Sequence, residues 1–166
     1  MNSPSGRVNL VQNSMKTKIS SPQISSDGYG ITNLLSNTNG FLVEHFIKPP
    51  VFIEFDFMCN MFVHEVILNT RVGTQKSKGI EILVNESTVG KCYLTADQDI
   101  VRWVRNSNTE VKDSATGQNI ATCEFFGGAH KHLNSTNRMT IKVFKTENSS
   151  LVSKGWALRN LKELKY

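Results

Sequence analysis

The chain predicts an all-β fold: an antiparallel β-sandwich of the jelly-roll kind, with about eight strands and little helix. Three observations predict it. Apolar side chains alternate with polar ones at Val51, Ile53, Phe55 and Phe57 against Glu54 and Asp56, and alternation returns at Ile80, Ile82 and Val84 and at Met139, Ile141 and Val143. Successive strand side chains point to opposite faces, so each run buries one face and wets the other. The apolar runs are also short and parted by polar turns, and no repeat, heptad or three-turn amphipathic helix interrupts them.

Taken in order, residues 8–11 read as a short first strand. Residues 20–22 and 25–28 are turn chemistry, because Ser and Asp side chains cap backbone groups and Gly accepts positive φ. Residues 31–35 form a brief apolar patch, read as one helical turn, followed by a polar loop to Gly40. Lys48-Pro49-Pro50 then delivers the chain stiffly into the strand at Val51, since a residue before proline is held extended. Residues 62–72 read as a second long strand, apolar on both faces and therefore central. A turn is expected over 73–79, then strands at 80–84, 91–95 and 100–104, a polar loop over 106–119, and closing strands at 121–126, 139–146 and 158–166. Residues 1–6 read as a flexible leader and residues 7–166 as one sandwich domain.

A chain of 166 residues suits one domain and can bury a core without staples. Hydrophobic residues are 39% and charged residues 20%, which excludes a disordered or membrane-embedded composition. No apolar run approaches the roughly 20 residues of a membrane helix, so no membrane partner is expected. The amino terminus lacks a basic region followed by an apolar core, so the chain is not expected to be secreted. Cys59, Cys92 and Cys123 form no Cys-x-x-Cys pair and are expected to be reduced, buried thiols. From Arg138 onward seven basic side chains against two acidic ones account for the whole formal net charge of +5. Such a segment can face nucleic acid. Lysines interspersed at strand spacing without a stacking platform favour a solvated sheet face instead.

No catalytic constellation is legible. His130 and His132 flank Lys131 and would share a strand face, with Cys123 or His64 as a third ligand; Gly127-Gly128 and Asn134-Ser135 around them point to exposed loop histidines rather than a zinc site. Glu54 and Asp56 read as solubilising carboxylates on an exposed face. No nucleophile elbow or phosphate loop is present, so neither a metal nor a cofactor is expected. Trp103 and Arg105, followed by the polar loop 106–119, are candidate anchors of a binding rim, because Trp and Arg offer large area with a polar handle. Trp103 packed in the core is the other open reading.

The segments Ile24-Ser25-Ser26-Asp27-Gly28-Tyr29, Asn33-Leu34-Leu35, Gly40-Phe41 and Glu44-His45-Phe46-Ile47-Lys48-Pro49-Pro50-Val51 resemble the amino-terminal domain of the U-box domain-containing protein 5 (RING finger protein 37) family. The similarity runs over residues 24–87 and returns at the closing strands, with Asp27, Gly28, Tyr29, Phe46, Ile47, Lys48, Pro49 and Pro50 as structural motif positions. The order of features also resembles galactose-binding-like, discoidin-like sandwiches. The resemblance implies a nuclear (otherwise cytoplasmic) E3 ubiquitin-protein ligase. This chain would then be its non-catalytic recognition domain, binding a protein partner or ubiquitination substrate. A ubiquitin-conjugating enzyme would be engaged only through a U-box, which nothing here resembles. A carbohydrate- or small-ligand-binding module is the alternative, and nucleic-acid binding through the basic final segment a second one.

Overall fold

A computed structural model describes residues 9–11, 16–35, 39–73, 75–105, 111–112, 119–125, 136–146, 157–158 and 160–165. Among them the chain forms fourteen strands and one 3-10 turn at Ile31–Leu35. One curled sheet holds β1 (Lys18–Ser20), β3 (Val51–Met61), β12 (Thr136–Thr146), β6 (Gln75–Val84), β7 (Ser87–Tyr93) and β11 (Glu124–Phe125) in that order, with β5 (Arg71–Val72) paired to β6. The facing sheet runs β14 (Asn160–Lys165), β4 (Glu65–Asn69), β8 (Gln98–Val104), β10 (Asn119–Thr122) and β9 (Val111–Lys112). A ribbon of β2 (Phe41–Leu42) and β13 (Ala157–Leu158) completes the set. The larger strand number comes from short edge pieces: the strands of four or more residues are β3, β4, β6, β7, β8, β10, β12 and β14.

The alternation places the core where the sequence puts it. Val51, Ile53, Phe55, Phe57, Ile80, Ile82, Val84, Met139, Ile141 and Val143 are all buried. Their registers align them into cross-strand rows, Val51–Val143–Ile80–Cys92 and Ile53–Ile141–Ile82–Gly90. The second row ends on a glycine, and there the facing sheet fills the gap. Trp103 of β8 is wholly buried, and a Cβ on Gly90 would lie 2.3 Å from its Cδ1. The indole Nε1 donates to the Val89 carbonyl at 2.9 Å. A buried indole needs such an acceptor, and this one belongs to the opposite sheet.

The structure corrects several expectations. Residues 9–11 are not a strand; the Val11 amide turns back onto Asn9 Oδ1 at 3.1 Å, an Asx turn. The segment 62–72 is split into β4 and β5, although β4 is interior as expected. Residues 75–79 are strand rather than turn, the reversal falling at Gly73 with φ +55°. Lys76 makes this possible. Its fully buried ammonium donates to the carbonyls of Thr95 at 2.5 Å and Ala96 at 3.1 Å and lies 3.4 Å from Asp99 Oδ1. Arg71 Nε holds the same carboxylate oxygen at 3.0 Å. The polar segment 106–119 contains β9, and β10 pairs with β8 in parallel, the pairing that a long crossover between two strands permits. The expected leader, 1–6, lies outside the described residues.

Two substitutions test these contacts. Gly90→Ala forces a methyl group into the Trp103 ring and is expected to cost about 1–3 kcal/mol, read as a lowered urea midpoint at unchanged slope. Lys76→Met leaves the Thr95 and Ala96 carbonyls and part of the Asp99 charge without their buried cation, and a loss of about 3 kcal/mol is expected by the same measurement. An unchanged midpoint in either variant would contradict the packing described.

Candidate functional site

A cleft of about 810 Å³ opens over β1, β3 and β12. Period-2 alternation builds its polar lining: with Ile53, Phe55, Met139 and Ile141 turned inward, Glu54, Asp56, Arg138 and Thr140 face the other way. Register then gathers them. Lys18, Asp56 and Arg138 form one cross-strand row, and Ser20, Glu54 and Thr140 the next. Two local devices shape the rim. At Met58 the strand bulges into positive φ (+68°), and its amide bonds Asp56 Oδ1 at 3.0 Å. The β6–β7 hairpin turns through Asn85 and Glu86, both at positive φ (+50° and +67°), as a tight primed turn requires. Asn85 Oδ1 accepts the Thr136 hydroxyl at 2.6 Å, which ties this turn to β12.

The charges of the cleft stand beside one another without closing. Among the described residues, Lys18, Glu54, Asp56 and Arg138 make no ion pair within 4.0 Å. By contrast, Arg102 Nε meets the buried carboxylate of Glu65 at 2.5 Å. The cleft thus offers carboxylates, an ammonium, a guanidinium and an amide to a ligand from outside. A volume of several hundred Å³ with a few convergent polar groups is the ordinary form of a binding site.

The sequence-derived candidates are distributed otherwise. Trp103 lies in the core, not on a rim, because its ring occupies the space over Gly90. Arg105 turns back on its own fold: Nε and Nη2 donate to the Val63 carbonyl at 3.2 and 3.1 Å, and the guanidinium lies 5.4 Å from the Phe62 ring centroid. Burial lowers the pKa of Arg105 from its ordinary value. His130 and His132 lie outside the described residues.

The motif positions divide. Asp27 and Gly28 form the middle of a turn closed by the Tyr29 amide on the Ser26 carbonyl at 3.0 Å, with Gly28 at φ +83°. Asn33 Nδ2 pins it, donating to the carbonyls of Gly28 at 3.1 Å and Gly40 at 2.9 Å. Ile47 packs against the core, Lys48 and Pro50 are exposed, Pro49 is half-buried, and the Pro49–Pro50 peptide is cis. Phe46, however, is 60% exposed, so packing does not account for it. Sequence reasoning missed Lys18 and Arg138. Only strand register brings them to either side of Asp56, and alternation within one strand does not reveal register.

One of the three cysteines departs from expectation. Cys92 and Cys123 are buried, but Cys59 is exposed. Burial pushes the Cys123 thiol well up, and the neighbouring Cys92 adds to this by hydrogen bond and charge.

Comparison with known proteins places these features. The model of a family of unknown function, DUF5918, matches residues 9–117. RING finger protein 37 of Homo sapiens is 32% identical over 87 residues, 49% of this chain and 16% of that protein. The Mus musculus counterpart is 32% identical over 81 residues, 45% of this chain and 15% of that protein. The match therefore takes in only a small part of each relative's length. Among solved structures, the family 32 CBM from C. perfringens NanJ, in complex with galactose, aligns with TM-score 0.62 at 8% identity, covering 96% of this chain and 99% of that one. Chitosan-binding module 1 of a Paenibacillus sp. IK-5 chitosanase/glucanase aligns with TM-score 0.61 at 15% identity, covering 96% and 98%. These structural likenesses establish the sandwich fold.

Thiol alkylation checks the cysteine environments. Native protein at pH 8 is expected to react at Cys59, while Cys92 and Cys123 react only after unfolding. A raised Cys123 pKa keeps that group as the unreactive thiol until well above its ordinary titration range. Mass spectrometry showing Cys123 modified as fast as Cys59 would refute it.

Proposed function

We propose, on the premise that the chain belongs to the DUF5918 family of unknown function, that it is a non-catalytic recognition domain. It holds a protein partner for ubiquitin transfer by a U-box. The carrying observation is the 32% identity over 87 residues with RING finger protein 37. The cleft over β1, β3 and β12 supports this reading, because its charged groups are left open to a partner. In this reading Lys18 and Arg138 take acidic groups of a bound segment, Glu54 and Asp56 take its basic or amide groups, and Asn85 bonds its backbone. The domain supplies no reacting group; it raises the local concentration of a substrate beside the ligase. The nuclear location implied by the resemblance belongs to the same proposal.

A carbohydrate- or small-ligand-binding module is the second reading. The same mixture of carboxylate, guanidinium and amide groups hydrogen-bonds well to paired hydroxyls, and the NanJ CBM was solved with galactose. The nucleic-acid reading has less behind it. Within β12, Arg138 stands across from Asp56 and Lys142 across from Glu81, so cations and carboxylates alternate.

The test is a fusion of this chain to a U-box, assayed for ubiquitin transfer to proteins that the chain retains. Transfer to a retained protein is expected, with a loss of about tenfold or more when Lys18→Glu and Arg138→Glu reverse the cleft cations. Self-ubiquitination should persist in the variant. Retention of a glycan on an array, lost on Arg138→Glu, together with absence of any transferred protein, would overturn the ligase reading for the carbohydrate one.

A further inference from the structure

We infer that Cys92 and Cys123 are a disulfide-forming pair, and that their oxidation by a small disulfide such as oxidised glutathione, as the chain folds, stitches β7 to the crossing between the two sheets. The bond involves no residue of the cleft and goes beyond the recognition reading, since a module of either proposed function could carry it.

Topology sets the place. β10 runs in the smaller sheet and β11 in the larger one, and Cys123 is the single residue between them. Its amide still belongs to the smaller sheet, donating to the Arg102 carbonyl of β8 at 2.9 Å. β11 then pairs with β7, Glu124 opposite Lys91 and Phe125 opposite Gly90. One step back along that antiparallel register brings Cys123 opposite Cys92. Both side chains are buried, at 0% and 2% exposure, and the two thiols are hydrogen-bonded to one another. Cys92 ends the core row Val51–Val143–Ile80–Cys92, and Cys123 extends it by one member.

Opposed residues of an antiparallel pair have Cα atoms about 4.5–5.5 Å apart, inside the roughly 4.4–6.8 Å that a disulfide spans. Cys59 does not compete: it is exposed on β3 past the Met58 bulge, whereas the row of Cys92 meets β3 at Val51. Burial shields both thiols in the folded chain, so the exchange belongs to the folding chain. One cysteine thiolate attacks a sulfur of glutathione disulfide, forming a mixed disulfide and expelling a glutathione thiolate. The second cysteine thiolate attacks the protein sulfur of that mixed disulfide and expels the other glutathione. Two cysteine thiols are oxidised, one glutathione disulfide is reduced to two thiols, and the two cysteine protons end on the expelled thiolates. The loop so closed contains β8, whose Trp103 bonds the Val89 carbonyl of β7 and whose Arg102 carbonyl holds the Cys123 amide. The bond therefore secures covalently the joint that these two hydrogen bonds make, and a closed loop restrains the unfolded chain.

The experiment unfolds and reduces the full chain in urea, removes the reductant, and refolds it in a buffer of glutathione and glutathione disulfide, with a parallel refolding in reductant. After blocking of remaining thiols, peptide mass spectrometry of the monomer is expected to find Cys92 joined to Cys123 at least about tenfold more often than either is joined to Cys59. Cys59 should be free or joined to glutathione, and Cys59→Ser should leave the bond unchanged. The oxidised chain should keep the amide spectrum of the reduced one outside β7, β8, β10 and β11 and unfold at a higher urea midpoint. Adding a phosphine reductant to the unfolded oxidised chain should return the midpoint to the reduced value on refolding. The proposal is overturned by pairings spread over all three cysteines, or by Cys92 and Cys123 remaining thiols while Cys59 carries glutathione. It is equally overturned if the bonded chain has a lower midpoint or has lost the amide spectrum of the reduced fold.

Discussion

The contact of Trp103 with Gly90 and Val89 is the constraint on which the sandwich depends. Two sheets that each bury an apolar face can slide over one another, because hydrophobic contact has no direction. An indole N–H has direction. By reaching the Val89 carbonyl on the opposite sheet, it sets where β8 lies along β7. The glycine beneath lets the ring come close enough, at the end of the row Ile53–Ile141–Ile82. The consequences extend outward. With the inward set of side chains determined in this way, the outward set follows on every strand of the larger sheet, and the polar lining of the cleft is made of outward residues.

The alternation of β3, β6 and β12 was fully legible, because a half-buried antiparallel strand writes its burial into every second residue. Sites were legible only where one strand carries them. Glu54 and Asp56, two apart on one strand, read from sequence as solubilising carboxylates. Their neighbours Lys18 and Arg138 come from positions far apart in sequence, and only pairing makes the row Lys18–Asp56–Arg138. Trp103 shows the opposite limit. A large amphipathic side chain beside a polar loop suits a rim and a core equally, and what decides is Gly90 on another strand. Lys76 was misread for a third reason. Lysine is almost never fully buried unless paired, so a Lys-Ser-Lys run reads as a surface turn. Here two carbonyls and Asp99 surround the ammonium, and the strand continues through it.

Likeness in fold and likeness in sequence carry different information about this chain. Structural neighbours at 8% and 15% identity share the path of the backbone. Ligand contacts belong mainly to side chains, so these neighbours transfer sheets and not ligands. The relatives at 32% identity share side chains, but over about half of this chain and a small part of themselves. Neither likeness selects a binding surface, and this chain's own chemistry must do so.

Unpaired surface charge is a weak selector by itself. An exposed ion pair is worth little, so leaving one unmade costs little, and many sheet faces do so. The cleft differs from an ordinary face in what surrounds its charges. Its rim carries Asn85 and Glu86 at positive φ, a conformation that side-chain-bearing residues seldom adopt. This turn is a local departure from regular sheet at the edge of the cleft, and the rows of Val, Ile and Met that fill the sandwich run beneath the strands it joins. Departures that the fold does not need are where binding is most reasonably sought.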